Sequence, residues 1–328
     1  MAKKLVSTVL QSRFDKYGIH FPEDWEITYL EAPYTDEDMI KAVGDKEYIL
    51  VNATHPVTKA VIDACPNLKF IQSEGVAFNK IDTEAAKAKG ILVSNNRGAN
   101  AKGVAEHTVF LMLEGLRTLS YYDHKLKTED YVTVKQESLA RGVHELGGKH
   151  IGFIGMGAIA KEAVKRLAPW EVKISYFDTF RPTPEQEKEL NISYLPVDEI
   201  VKQCDIISLH VPVTPETEGM LAAEQFKAMK PNAVIVNTAR GEIINDKDLA
   251  AALEAGEIGH ACLDVVAPEP TPADHPLLTM SEAGKARLTM SPHHAGMTDE
   301  AFITMLNGAV ANMERMEKGE QPVNVVNR

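Results

Sequence analysis

Short apolar runs alternate along this chain with stretches whose apolar positions recur at helical spacing. Residues 48–51, 68–71 and 91–93 read as buried strands, with short helices over 58–64 and 83–88 between them. The rhythm returns with strand-like runs at 150–154, 172–177, 205–209, 233–236, 261–263 and 288–290, rich in Ile and Val. Strands and helices taken in turn predict an α/β fold with parallel sheets. The runs are continuous rather than alternating, so both faces of each sheet should be covered. An apolar run at 5–10, behind Lys3 and Lys4, is shorter than the roughly 7–15 residues of a signal-peptide core and reads as a first buried strand.

Two longer helical stretches break the rhythm. In 101–127 the positions Val104, Thr108, Leu111, Met112 and Gly115 keep a helical period, and 298–318 closes the chain with another such stretch. Residues 128–146 between the first helix and the next strand are polar and carry no visible period. A complete strand–helix series framed by two long helices predicts a domain inserted into a smaller one, the smaller built from both ends of the chain.

Composition narrows the function classes. The 328 residues suit about two domains. Forty-seven acidic against thirty-five basic residues leave a formal charge of −12. Such a surface repels a nucleic-acid backbone and an anionic membrane, so neither is an expected partner. No stretch reaches the ~18 apolar residues of a membrane span, and a cytoplasmic location is expected. Cys65, Cys204 and Cys262 have neither disulfide nor zinc spacing; three reduced thiols and no bound metal are expected.

The most informative stretch runs from Ile151 to Ala160, sequence IGFIGMGAIA. A buried strand ends at Gly155 and a helix opens near Ala158. Gly155 permits the tight turn, Gly157 lets backbone approach a pyrophosphate, and Ala160 takes the small position where helix packs on strand. Backbone N–H groups at the helix start, Ala158 and Ile159 among them, would hold the anion. Asp178 ends the next strand 23 residues after Gly155, near the spacing of about 20 expected of the acid that binds the NAD ribose. An acid there repels the 2′-phosphate of NADP. Arg181, three residues on, could soften that discrimination.

Ligands of such sheets bind beyond the carboxyl ends of the strands. Those ends carry His210, Val211 and Pro212; then Asn237, Thr238, Ala239, Arg240 and Gly241; then Asp264, with Glu269 in the following loop; then His293 and His294. Each has an ordinary structural explanation alone. Together they form a consistent site: an arginine to bind a substrate carboxylate bidentately, a histidine to carry a proton, and a carboxylate, Glu269, to stabilise the imidazolium. Proton transfer at histidine beside hydride transfer at a nicotinamide is the chemistry of a hydroxy acid and its keto acid.

These residues resemble the D-isomer-specific 2-hydroxyacid dehydrogenases from about Leu50 onward. The matching stretches are GVAFNKID at 75–82, VAEH at 104–107, Gly148-Lys149, His210-Val211-Pro212, NTARG at 237–241, Leu263-Asp264-Val265, Pro268-Glu269-Pro270 and Ser291-Pro292-His293. The resemblance implies a Rossmann doubly wound domain over 103–296, binding NAD, inserted into a flavodoxin-like α/β substrate domain made of 1–102 and 297–328. It implies Arg240, Glu269 and His293 as the catalytic set, and Gly75, Val76, Asn100 and Arg240 as substrate contacts. Cofactor contacts would be Thr108, Gly155, Gly157, Ala158, Ile159, Asp178, His210, Val211, Pro212, Thr238, Ala239, Arg240, Asp264, His293 and Gly296. A homodimer through the NAD-binding domain is implied as well.

Departures bear on the substrate. Ala77 and Asn79 replace a usual Gly and Asp, and Tyr131 stands where a tryptophan is common. Asn52 and His55 occupy a loop where phosphoglycerate dehydrogenases carry arginine, and no regulatory domain is expected after Arg328. Both count against 3-phosphoglycerate and leave a small 2-keto acid and its D-2-hydroxy acid as the expected pair. Formate-type members usually carry Gln at the position of Glu269. The alternative from another class is a nucleotide-sensing, corepressor-like binding protein of the same fold with little turnover.

Overall fold

Parallel strands and covering helices alternate in two series, as the apolar pattern predicts, separated by a run of three helices. The structure, a computed structural model, describes residues 3–328. The first stretch contains β1 (Lys3–Ser7), α1 (Gln11–Tyr17), β2 (Trp25–Tyr29), α2 (Asp36–Val43), β3 (Tyr48–Val51), α3 (Lys59–Ala64), β4 (Phe70–Ser73), α4 (Thr83–Ala88) and β5 (Leu92–Ser94). Next come α5 (Ala101–Arg117), α6 (Leu119–Leu126), α7 (Tyr131–Arg141), β6 (His150–Ile154), α8 (Ala158–Leu167), β7 (Lys173–Phe177), α9 (Pro184–Leu190), β8 (Ile192–Tyr194) and α10 (Val197–Gln203). The chain continues with β9 (Ile206–Leu209), α11 (Ala223–Ala228), β10 (Val234–Asn237), α12 (Asp246–Ala255), β11 (His260–Leu263), α13 (Glu282–Lys285), β12 (Leu288–Met290) and α14 (Asp299–Glu317).

Two compact units result. One holds the residues up to Asn100 together with Met297–Arg328; the other is Ala101–Gly296. The first has a parallel sheet in the order β2-β1-β3-β4-β5, the flavodoxin-like arrangement. The second has the order β12-β11-β10-β9-β6-β7-β8, again parallel. Counted within its own unit that is the Rossmann order, extended by one strand. Among the described residues no helix is long and apolar enough to cross a membrane.

Successive strand residues enter opposite cores, which is why the apolar runs are continuous. In the larger unit Ile207, Ile235 and Leu263 join one buried cluster, while Ile206, Val234, Val236 and Cys262 join the other. In the smaller unit Val6, Ile49 and Ile71 face one cluster. Leu5, Leu50 and Phe70 face the second, which α14 covers with Leu306, Ala309, Val310 and Met313. The returning C-terminus seals the β5 edge: Asn327 Oδ1 accepts from Val93 N at 2.9 Å and its amide donates to Ile91 O at 2.8 Å.

The structure corrects three expectations. The strand expected at 5–10 ends at Ser7, whose hydroxyl turns onto Val9 O at 2.7 Å. The helix expected over 101–127 breaks at Thr118, which is left-handed at φ 48°. The buried Glu114 causes the break by accepting from Leu119 N (3.2 Å), Ser120 N (3.1 Å) and the Ser120 hydroxyl, so the side chain of one helix caps the next. Within 128–146 a regular helix, α7, stands on an N-cap at Asp130, which accepts from Val132 and Thr133 N, both at 3.0 Å. It shows no inward apolar period because Val134 is its one buried residue.

Burial also decides protonation. His260, at 2 % exposure, gives Nε2 to a 2.9 Å contact with Thr289 Oγ1, and desolvation pushes its imidazole down to about 3. The three thiols are free and buried, and burial pushes Cys204 up to about 12. Below the ordinary histidine value the unfolded chain takes a proton that native His260 refuses. Its contribution to stability is therefore intact above pH 6.5 and is lost as pH falls, by about 1–2 kcal/mol between pH 6.5 and 5. Urea midpoints at pH 7 and 5 should fall further for the wild type than for His260→Asn; equal falls would show that His260 is not the group responsible.

Candidate active site

The carboxyl ends of β6, β7, β9, β10, β11 and β12, with Thr108 on α5, carry the sequence-predicted groups of the larger unit. Gly155 leaves β6 at φ 98°, and a Cβ there would lie 2.5 Å from His210 O, so neither conformation nor space admits a side chain. Gly157 is the N-cap of α8 and offers no side-chain cap, while a Cβ on it would meet nothing within 4 Å. The first-turn N–H groups of α8, at Ala158 and Ile159, thus face open space, as an anion-binding helix start requires. Ala160 is fully buried beneath them.

Asp178 follows β7 and ties the two strand ends together. Its Oδ2 accepts from Met156 N at 2.6 Å and its Oδ1 from Phe180 N at 2.7 Å. His210 follows β9, with Nε2 2.8 Å from Ser208 Oγ and its ring stacked on Phe153 at 5.4 Å. Desolvation lowers its imidazole to about 3, so it is neutral at physiological pH. Val211 and Pro212 continue the same strand end. Thr108 on α5 and Thr238 after β10 share a hydroxyl contact of 3.0 Å, and both are buried. The donor set, the uncapped helix start and the acid at the end of β7 are of the kind that fits a dinucleotide.

Arg240 sits on a turn held from two sides. Asn237 Oδ1 accepts from Ala239 N at 3.0 Å, and its amide donates to Arg240 O at 2.8 Å. A Cβ on Gly241 would lie 2.3 Å from Ala267 N, so only glycine lets this turn rest on the 266–267 backbone. That contact brings the arginine turn against the loop that bears Glu269. The Arg240 side chain is exposed, with Nη1 donating to Ala239 O at 2.6 Å, and its remaining N–H groups are available.

His293 and Glu269 meet directly: His293 Nδ1 lies 2.7 Å from Glu269 Oε2, and both side chains are about half-exposed. This pair fixes the imidazole tautomer and leaves Nε2 for other chemistry. Beneath it lies Asp264, 2 % exposed. Its Oδ1 accepts from the Ser291 hydroxyl (2.6 Å) and His294 N (3.0 Å), its Oδ2 from Ala295 N (3.0 Å), and its carbonyl from His293 N (2.8 Å). The clamp sustains His293 at φ 51°, a left-handed conformation uncommon outside glycine. His107 on α5 joins through Nε2, 3.0 Å from Ser291 Oγ. The nitrogens of His107 and His294 and an oxygen of Asp264 lie within 4.8 Å of one another, yet both carboxylate oxygens are already engaged by this loop. Gly296 follows the clamp directly.

In the smaller unit, Gly75 and Val76 follow β4 in a turn whose carbonyls are tied down. Gly75 O accepts from Asn96 N (2.8 Å), Val76 O from the Asn95 amide (2.6 Å) and Ala77 O from the Ser73 hydroxyl (2.7 Å). Among the described residues nothing accepts from the N–H groups of Gly75 and Val76. Asn100 immediately precedes α5 and is half-buried. Two residues that sequence reasoning missed stand beside the turn. Glu74, raised above its ordinary range by burial, accepts from Arg13 Nη1 at 2.7 Å and from the Asn52 amide at 3.0 Å. Arg13 and Glu74 are the two residues missed; they stand 61 residues apart, so no local pattern announces them.

Comparison with known proteins agrees with this geometry. Residues 109–295 match the family model of the D-isomer specific 2-hydroxyacid dehydrogenase NAD binding domain. A glyoxylate reductase of Thermofilum pendens is 34 % identical over 94 % of this chain and 88 % of its own length. A hydroxypyruvate reductase of Blautia hydrogenotrophica is 33 % identical over 92 % of each chain. The NAD-complexed D-isomer specific 2-hydroxyacid dehydrogenase of Lactobacillus delbrueckii ssp. bulgaricus superposes with a TM-score of 0.81 at 25 % identity, over 99 % of this chain and 100 % of that one. An uncapped helix start, an acid at the next strand end and a histidine–carboxylate pair, in a chain with these relatives, lead to one conclusion: it belongs to the D-isomer-specific 2-hydroxyacid dehydrogenases, NAD-dependent oxidoreductases acting on the CH–OH group.

Proposed function

We propose that the protein reduces the smallest 2-keto acids, glyoxylate and hydroxypyruvate, to their 2-hydroxy acids, with Arg240, Glu269 and His293 as the catalytic set. The observation that carries this reading is the 2.7 Å pair of His293 Nδ1 and Glu269 Oε2, on a loop adjoining the turn of Arg240. NADH, when bound, supplies the hydride. Arg240 binds the substrate carboxylate through its free N–H groups and polarises the adjacent carbonyl. His293, charged and steadied by Glu269, gives the proton on Nε2 to the carbonyl oxygen, and takes it back in the reverse direction. Thr108, His210, Val211, Pro212, Thr238, Ala239, Asp264 and Gly296 line the cofactor's path at the strand ends. We assign the unit that holds β1–β5 to substrate recognition, with the free N–H groups of Gly75 and Val76, and Asn100, as its contacts. The 33–34 % identity to a glyoxylate and a hydroxypyruvate reductase over more than nine-tenths of the chain supports the choice of substrates. The buried, unpaired thiols suit a reducing compartment, and we assign the protein to the cytoplasm.

We further propose that a second copy covers the outer face of α6 and α7. Leu119, Tyr131, Val132 and Leu139 are exposed there to between 60 % and 72 %, an apolar set that solvent would not leave uncovered.

Two measurements test these assignments. In NADH turnover with a panel of glyoxylate, hydroxypyruvate, pyruvate and phenylpyruvate, the first two should give the highest kcat/KM, and His293→Ala should lower kcat by about 10²–10⁴-fold. Undiminished turnover in that variant would sink the assignment of His293. Sedimentation should give a dimer for the wild type and a monomer for Leu139→Asp; a monomeric wild type would overturn the interface.

A further inference from the structure

Arg181 follows Asp178 by three residues, and an arginine near that position is the usual means of accommodating a 2′-phosphate. Its guanidinium is engaged elsewhere. Nη2 lies 3.0 Å from Glu187 Oε1, and Cζ stands 4.2 Å from the centroid of the Tyr194 ring. Glu187 is itself anchored, because the Tyr176 hydroxyl donates to the same Oε1. Tyr176 is fully buried and pairs in register with Tyr194, their rings edge to face at 5.8 Å. The helix carrying Glu187, α9, starts on a capping box in which Thr183 and Gln186 bond each other's backbone N–H. An ion pair and a cation–π contact, both attached to the sheet, thus hold Arg181 on the α9 and β8 side.

We propose that Glu187, with Tyr194, sets cofactor preference by sequestering Arg181. The acid at Asp178 then acts alone at the ribose, and NADP is disfavoured twice: by the carboxylate present and by the cation withheld. Glu187 touches no cofactor in this account; it is a positioning residue. The inference rests on Asp178 marking the ribose end of the NAD site. Removing Asp178 alone takes away repulsion and adds no attraction. Releasing Arg181 as well lets a guanidinium form charge-assisted hydrogen bonds to the phosphate.

The test is calorimetric titration of the full-length protein with 2′,5′-ADP and with 5′-AMP, beside KM and kcat for NADPH and NADH. The variants are Asp178→Ala, Asp178→Ala/Glu187→Gln and that pair with Arg181→Met added. Glu189→Gln on the Asp178→Ala background controls for charge, since Glu189 is exposed on the same helix and bonds no arginine. Adding Glu187→Gln to Asp178→Ala should tighten 2′,5′-ADP and lower the KM for NADPH by about tenfold, the scale of one charge-assisted hydrogen bond, leaving 5′-AMP affinity and kcat in place. Arg181→Met should erase the gain. Tyr194→Leu, an independent release of the same guanidinium, should move the ratio in the same direction. A gain equalled by Glu189→Gln, or one that survives Arg181→Met, would overturn the sequestration. So would a shift with Asp178→Ala that Glu187→Gln and Tyr194→Leu fail to enlarge. If Asp178→Ala itself leaves the 2′,5′-ADP to 5′-AMP ratio unmoved, the ribose assignment falls and the proposal with it.

Discussion

The buried carboxylate of Asp264 organises the loop that carries His293 at the carboxyl ends of the strands of the larger unit. A charge taken out of water is costly unless it is well supplied with hydrogen bonds, and here the donors all come from one loop. The Ser291 hydroxyl and the N–H groups of His294 and Ala295 converge on its two oxygens. The loop satisfies the acid, and the acid dictates the loop, including the left-handed backbone at His293. His293 and Glu269 are about half-exposed, so little packing holds their side chains. Their order therefore has to come from beneath, and it comes through backbone rather than through packing of the reactive side chains. Asn237 and Gly241 hold the Arg240 turn in the same manner.

Anion recognition follows a related economy. The chain carries a formal charge of −12, yet both expected anion contacts outside Arg240 are made of main chain. The α8 start offers N–H groups because its N-cap is a glycine with no side-chain acceptor. The Gly75–Val76 turn offers N–H groups because neighbouring side and main chains have taken its carbonyls. In both places unpaired main-chain donors supply positive potential without a cation.

These mechanisms explain how far the sequence could be read. Strands such as β6, β9, β10 and β11 were legible because their apolar residues divide between the two cores, which makes the runs nearly continuous. Helix α7 was not, since its apolar residues Tyr131, Val132 and Leu139 point outward and leave no buried stripe. The break at Thr118 was illegible for another reason: its cause is Glu114, a side chain whose capping role exists only once the next helix folds back to it. The positions of the candidate residues at strand ends were legible because they follow directly from the strand boundaries, and α/β topology makes those ends the place to look for ligands. Arg13 and Glu74 were not, because a contact between residues so distant in sequence leaves no spacing to detect.

The stretch from Tyr176 to Tyr194 joins these two kinds of information. Asp178 and Arg181 stand three residues apart with opposite implications for a ribose 2′ substituent, and as letters in the chain they cancel. The fold separates them. Asp178 bonds Met156 N and so belongs to the phosphate loop, whereas Arg181 bonds Glu187 and lies over Tyr194, and so belongs to α9 and β8. The two charges therefore differ in placement, which their spacing in the chain does not reveal. Placement here is set by a buried tyrosine hydroxyl that holds an acid, which in turn holds the arginine. The surroundings of these two charges are thus built from β7, α9 and β8 together, and Asp178 at the end of β7 is only the most visible part of that arrangement.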